Sequence, residues 1–131
     1  MIYHGYMQII IKTKNLELTG QLESFINKKI GGLKKFLTSF EGHALPIAGG
    51  RNLFDTFVEV EKETNHHRKG DIFSAEAKLY LPGKSLFAKA HGDDLMKVIS
   101  ELRDELESEI RRYKSKVIEF PRRQSKKLKS R

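Results

Sequence analysis

The 131 residues amount to one domain, long enough to bury a core without staples, and they include no cysteine, which excludes disulfides and thiolate zinc sites. No apolar run approaches the ~20 residues a membrane-spanning helix needs, and the N-terminal MIYHGYMQII lacks a basic leader followed by a long apolar segment. The net charge of +8 is unevenly placed: from Arg111 onward there are ten Lys/Arg against Glu119, which leaves 15 basic and 16 acidic residues before that point.

In chain order, the pattern begins near residue 7, so that Met7 serves as a start as well as Met1 does. QIIIKT (8–13) is β-branched and short, which predicts a strand. Thr19 is placed to cap a helix, along which Leu22, Phe25, Ile26, Ile30, Leu33 and Leu37 recur at three- and four-residue steps. Lys28, Lys29, Lys34 and Lys35 fall beside that stripe, and Gly31-Gly32 interrupts it, marking either a close backbone approach or a weak point in the helix. FEGHALPIAGGRNL (40–53) carries no periodicity and reads as a loop.

DTFVEVEKET (55–64) alternates, with Thr56, Val58 and Val60 on one face and Glu59, Glu61 and Glu63 on the other. DIFSAEAKLYL (71–81) sets Phe73, Ala75, Ala77, Leu79 and Leu81 together, Pro82-Gly83 suits a tight turn, and KSLFAKAH (84–91) turns Leu86, Ala88 and Ala90 inward. These three segments predict an antiparallel meander. Asp93 or Asp94 then caps a last helix with Leu95, Ile99, Leu102, Leu106, Ile110 and Tyr113 as its buried stripe. Its middle is acidic and its end basic (Arg111, Arg112, Lys114, Lys116), an arrangement the helix dipole favours in any case. The order β-α-β-β-β-α predicts a two-layer α+β domain, a four-stranded sheet with two helices on one face, over residues 1–118. Residues 119–131, with Arg122 and Arg123, predict a disordered basic tail, suited to nucleic acid, to an anionic membrane surface, or simply to solubility.

The stretch NHHRKGD (65–71) admits three readings. A metal site needs three or four ligands, yet His4, His43 and His91 lie in a terminus, a loop and a strand end, and no spacing matches a zinc pattern. Catalysis lacks a nucleophile motif or a phosphate-binding glycine loop, and the alternating glutamates can all face solvent. No enzyme, metal or cofactor is therefore expected. The third reading is a turn in which Gly70 takes φ > 0 while His67, Arg68 and Lys69 project outward, either as an ordinary polar hairpin or as a phosphate clamp. The coincidence of basic turn, helix lysines, basic helix end and basic tail favours the clamp.

The run VEVEKETNHHRKGDIFSAEAKLYLPGKSLFAKAHGDDLMKVISELRDELESEIRRYKSK, together with NLELT…L…F…KKI…LKKF, resembles the N-terminal domain of ribosome hibernation-promoting factors. That family includes the ribosome-associated inhibitor protein Y and carries an older sigma-54 modulation label. The resemblance covers roughly residues 7–118 and implies the same β-α-β-β-β-α fold, related in shape to double-stranded-RNA-binding domains. It also implies a cytoplasmic protein, a monomer off the ribosome, that lodges in the small subunit on ribosomal RNA. There it would compete with tRNA and mRNA, preserving idle ribosomes in starvation or stationary phase by occlusion.

Carried over residue by residue, the resemblance assigns RNA contacts to Lys29, to Arg68 and Lys69 in the hairpin, to Lys84 in the PGK turn, and to Lys114 and Lys116. Lys28, Lys34, Lys35, His67, Lys89, Arg111, Arg112, Arg122 and Arg123 complete the candidate surface. Gly32 stands where a lysine is common, and Glu105 and Ser108 where Lys and Arg often occur, which would thin the basic helical face. The 40–53 loop looks longer than in compact members. A chain ending at Arg131 has no room for the second domain of long members, so a short form acting on single ribosomes is expected. A module for free structured RNA and a protein-interaction regulator remain as alternatives, the latter suggested by the acidic middle of the last helix.

Overall fold

The computed structural model describes residues 2–4, 7–37, 54–63, 70–81 and 83–119. One sheet has strand order β1-β2-β3-β4-β5: β1 (Ile2–His4), β2 (Met7–Lys14), β3 (Phe54–Glu63), β4 (Ile72–Leu81) and β5 (Lys84–Gly92). The four expected strands are all present, and β1 adds a three-residue edge that pairs antiparallel with β2. β2 and β3 run parallel, with Ile9 opposite Thr56 and Ile11 opposite Val58. A parallel pair needs a crossover, and the segment between these strands supplies it with α1 (Gly20–Gly31) and the single turn α2 (Lys34–Leu37). β3, β4 and β5 form the antiparallel meander, and α3 (Leu95–Lys114) closes the layer, followed by a π-helical turn at Ser115–Glu119.

Both helices begin at side-chain caps. Thr19 Oγ1 accepts from the Leu22 N–H at 3.2 Å, and Asp94, the second of the two candidate aspartates, accepts from Met96 and Lys97 N–H at 3.1 and 3.3 Å. The helix break falls where the two glycines stand, but it is mild. Gly32 has φ −62° and ψ −17°, Leu33 N–H bonds to Ile30 O, and helix resumes at Lys34. A Cβ at Gly32 would meet Lys28 O and Lys29 O at 3.4 and 3.5 Å, ordinary contacts, so no close approach requires glycine there. Gly70 and Gly83 are different. At φ +87° and +79° each takes the left-handed turn conformation that side chains resist.

The core is the interface between sheet and helices. Thr56, Val58 and Val60 of β3 face inward beside Ala75, Ala77 and Leu79 of β4, as the alternation predicts. Ala77 pairs with Ala88 and Ala75 with Ala90, a patch of small side chains that lets α3 settle close over β4 and β5. There it inserts Ile99, Leu102, Leu106 and Ile110, together with Val98, which the expected stripe omits. α1 covers β2 through Leu22, Ile26 and Ile30, with Leu33 and Leu37 continuing the stripe across the break. The outer helical surface and the open face of the sheet are left to solvent. The 40–53 loop, the hairpin at 64–69 and the tail from 120 onward lie outside the described residues.

Candidate nucleic-acid interface

The last turn of α1 and the start of α2 put Lys28, Lys29 and Lys35 along one wall of a shallow groove, and α3 forms the other wall with Ser100, Arg103 and Asp104. Four cations share this groove with one carboxylate, Asp104, and that carboxylate is engaged by Arg103 Nη1 at 3.1 Å. Gly32 lines the same groove. Periodicity explains the placement: a helix that buries Ile26 and Ile30 against the sheet must turn positions 28, 29 and 32 away from it.

Aromatic rings hold several of these cations in position. Lys29 Nζ lies 5.6 Å from the Phe25 ring centroid, Lys35 Nζ lies 5.2 Å from that of Phe36, and the Arg111 guanidinium approaches the same Phe36 ring at 5.0 Å. Phe36 thus gathers a cation from α2 and one from α3 across the helix–helix seam. The sequence carries that phenylalanine in LKKF, but nothing in periodicity assigns it this task. Along α3, Glu107 accepts from Arg111 Nε at 3.0 Å and pairs with Arg103 one turn earlier, while Arg112 bonds to Glu109 at 3.1 Å. The Arg111 and Arg112 side chains are exposed and the Arg103–Glu107 pair is partly buried; helical i,i+3 and i,i+4 pairs contribute only a few tenths of a kcal/mol each. Their consequence here is orientation of the arginines along α3, of which Arg103 lines the groove.

The expected cations do not all converge. Lys28, Lys29, Lys34, Lys35, Arg111, Arg112, Lys114 and Lys116 belong to the helical layer. Among the described residues, Lys28, Lys34, Lys114 and Lys116 have no carboxylate within ion-pair distance. Lys89 points to the opposite side, on the open face of the sheet, where it meets Glu76 at 3.6 Å. Lys84 begins β5 at the Leu81 end of β4, whereas β3 ends and β4 begins, at Glu63 and Ile72, at the opposite end of the sheet. Ten residues of strand separate those ends by about 33 Å. His67, Arg68, Lys69, Arg122 and Arg123 lie outside the described residues. Among the described residues no group of three or more His, Asp or Glu is placed to hold a metal ion, and no helix is long and apolar enough to cross a membrane.

Fold and surface together define a class: a β-α-β-β-β-α domain whose helical layer presents a cationic groove. A family model described as Sigma 54 modulation protein / S30EA ribosomal protein matches residues 9–118, and the chain belongs to that family. A curated relative, the ribosome hibernation promoting factor of Acinetobacter guillouiae, is 25% identical over 114 residues, covering 87% of this chain and 93% of the relative. Two solved structures share the fold at 20% identity. A ribosomal subunit interface protein from Coxiella burnetii matches with a TM-score of 0.56, over 82% of this chain and 97% of its own. The N-terminal domain of Thermus thermophilus Protein Y matches at 0.55, over 82% and 99%.

Proposed function

We propose that this protein binds the ribosome through ribosomal RNA and holds it idle by occlusion. The groove between α1–α2 and α3 would lie against phosphates, and the docking site would be the small subunit where mRNA and tRNA otherwise sit. The observation that carries the reading is that groove, with its four cations and one already engaged carboxylate, in a chain whose family and curated relative bear ribosomal names. Lysine and arginine on rigid helices suit a folded RNA, because phosphate contacts fix position without needing a base sequence. The mechanism requires no reaction: a domain of this size in the decoding region excludes the ligands that translation needs. The basic hairpin at 65–70, Lys84 and the tail would extend the contact beyond the helices, and the working compartment would be the cytoplasm.

The test is cosedimentation of the pure protein with small ribosomal subunits, with and without excess tRNA and messenger, alongside a Lys28→Glu/Lys29→Glu variant. Saturable binding that tRNA displaces and the double variant loses is the expected result. Binding that tRNA leaves undisturbed would move the site to another ribosomal surface. An absence of binding at low salt would end the reading and leave free structured RNA or a protein partner as the ligand.

A further inference from the structure

The face of the sheet turned away from the helices is not uniformly polar. Its residues fall into cross-strand rows set by the register. One row reads Ile10, Phe57, Lys78, Phe87 across β2 to β5, and Tyr80 stands in the adjoining row, between Asp55 and Ser85. Phe57, Tyr80 and Phe87 are 43, 41 and 46% exposed, large values for rings on a packed sheet. Phe57 and Tyr80 meet edge to face, with centroids 5.6 Å apart and planes at 88°. Lys78, between the two phenylalanines, holds its ammonium 5.8 Å from the Tyr80 ring, and Lys89 stands 6.0 Å from Phe87. Three aromatic rings on three adjacent strands line one shallow depression together with Lys12, Lys78, Glu59 and Glu76.

We infer that this face is a stacking platform for unpaired nucleotides of RNA, a second contact distinct from the helical groove; the inference rests on the RNA reading above. Bases stack on exposed rings whatever their sequence, and lysines beside the rings reach the intervening phosphates. The size of the patch favours this occupant over a protein. Three rings less than half exposed offer about 250 Å² of apolar surface, against about 450 Å² of apolar surface per partner in a stable protein interface. The charges agree. Among the described residues, Lys12 and Lys78 have no ion-pair partner, and Glu76 is taken by Lys89 at 3.6 Å. Over the four rows, Lys12, Lys14, Lys78 and Lys89 balance Asp55, Glu59, Glu61 and Glu76, so the face has no net charge. Stacking must therefore supply most of the affinity here, and loss of the rings should leave the salt slope, which the lysine–phosphate contacts set, unchanged.

The chain contains no tryptophan, so Phe87→Trp places a unique fluorophore on the platform. Titration of that variant with an unstructured 12-nucleotide RNA of adenine and cytosine should quench the indole as bases stack. In the natural background, Phe57→Leu/Phe87→Leu should weaken binding of the same RNA about tenfold with an unchanged salt slope and an unchanged melting temperature. Leucine keeps the apolar surface and removes only the π-face, so retained RNA affinity in this variant would overturn the proposal. RNA binding that saturates without quenching the indole would also overturn it. If the leucine variant instead keeps its RNA affinity while Phe57→Ser/Phe87→Ser abolishes concentration-dependent self-association in sedimentation, the face belongs to a protein contact. The Lys28→Glu/Lys29→Glu variant separates the two readings: it should lose small-subunit binding yet keep the ring-dependent quenching.

Discussion

Two positions test the packing and the groove separately. Thr56 is fully buried on β3, and its Oγ1 has no hydrogen-bond partner among the described residues. A buried hydroxyl left unpaired costs about 1–3 kcal/mol, whereas a methyl in its place costs nothing of the kind. Thr56→Val should therefore raise stability by about 1 kcal/mol in chemical denaturation with an unchanged m-value; a destabilised variant would mean the hydroxyl is satisfied after all. Gly32 is the second. It is exposed, helical in φ, and sterically able to carry a Cβ, and it lies among the groove lysines. Gly32→Lys should gain roughly 0.5–1 kcal/mol by removing a helical glycine. It should also steepen the salt dependence of RNA or ribosome binding by about one unit of slope. A lysine that stabilises the fold but leaves the slope unchanged would show that the groove does not meet phosphate.

At the scale of elements, periodicity carried most of the fold because each element buries one face only. The stripes on α1 and α3 and the alternation on β3, β4 and β5 are direct consequences of a single two-layer core. What stayed hidden had physical reasons. β1 is three residues long, too short for any alternation to register. The parallel pairing of β2 with β3 depends on where a crossover lands, which no local pattern encodes. Phe57, Tyr80 and Phe87 lie on three different strands, and only the register Phe57–Lys78–Phe87 makes a patch of them. The groove was half legible. Its lysines and arginines are visible as residues, but their meeting across Phe36 and Arg103 is a product of helix packing. Lys89 shows what a residue list cannot separate, since it reads as part of one basic surface yet stands on the other face of the sheet. The element most exposed to a simple test is α3, whose start rests on Asp94 alone among its first residues. Asp94→Ala removes the acceptor for two N–H groups and should cost about 1 kcal/mol, read as a lower melting temperature. Because the cap is a turn or more from Arg103, ribosome affinity at low temperature should not change.

For the whole molecule, the charge distribution sets two contributions to binding that respond differently to salt. The described domain offers a bounded set of helical cations, whereas residues 122–131 hold Arg122, Arg123, Lys126, Lys127, Lys129 and Arg131, six of the charges behind the net +8. Deleting 122–131 lowers the net charge from +8 to +2 and leaves every core residue among the described residues in place. The truncated protein should melt at the same temperature as the parent. Its binding to small subunits should lose about 0.7–0.9 units of slope against log salt for every tail cation that reaches a phosphate. Reversal of Lys28 and Lys29 acts on the other contribution: it should abolish specific, tRNA-displaceable binding while leaving a tail-driven, steeply salt-dependent residue. Measuring both variants from about 50 to 200 mM salt distinguishes a tail that anchors the domain from one that only keeps it soluble. An unchanged slope on truncation assigns solubility. A reduced slope with displacement by tRNA retained assigns the helices to the site and the tail to its rate of capture, since long-range attraction by a basic arm speeds encounter more than it selects the target.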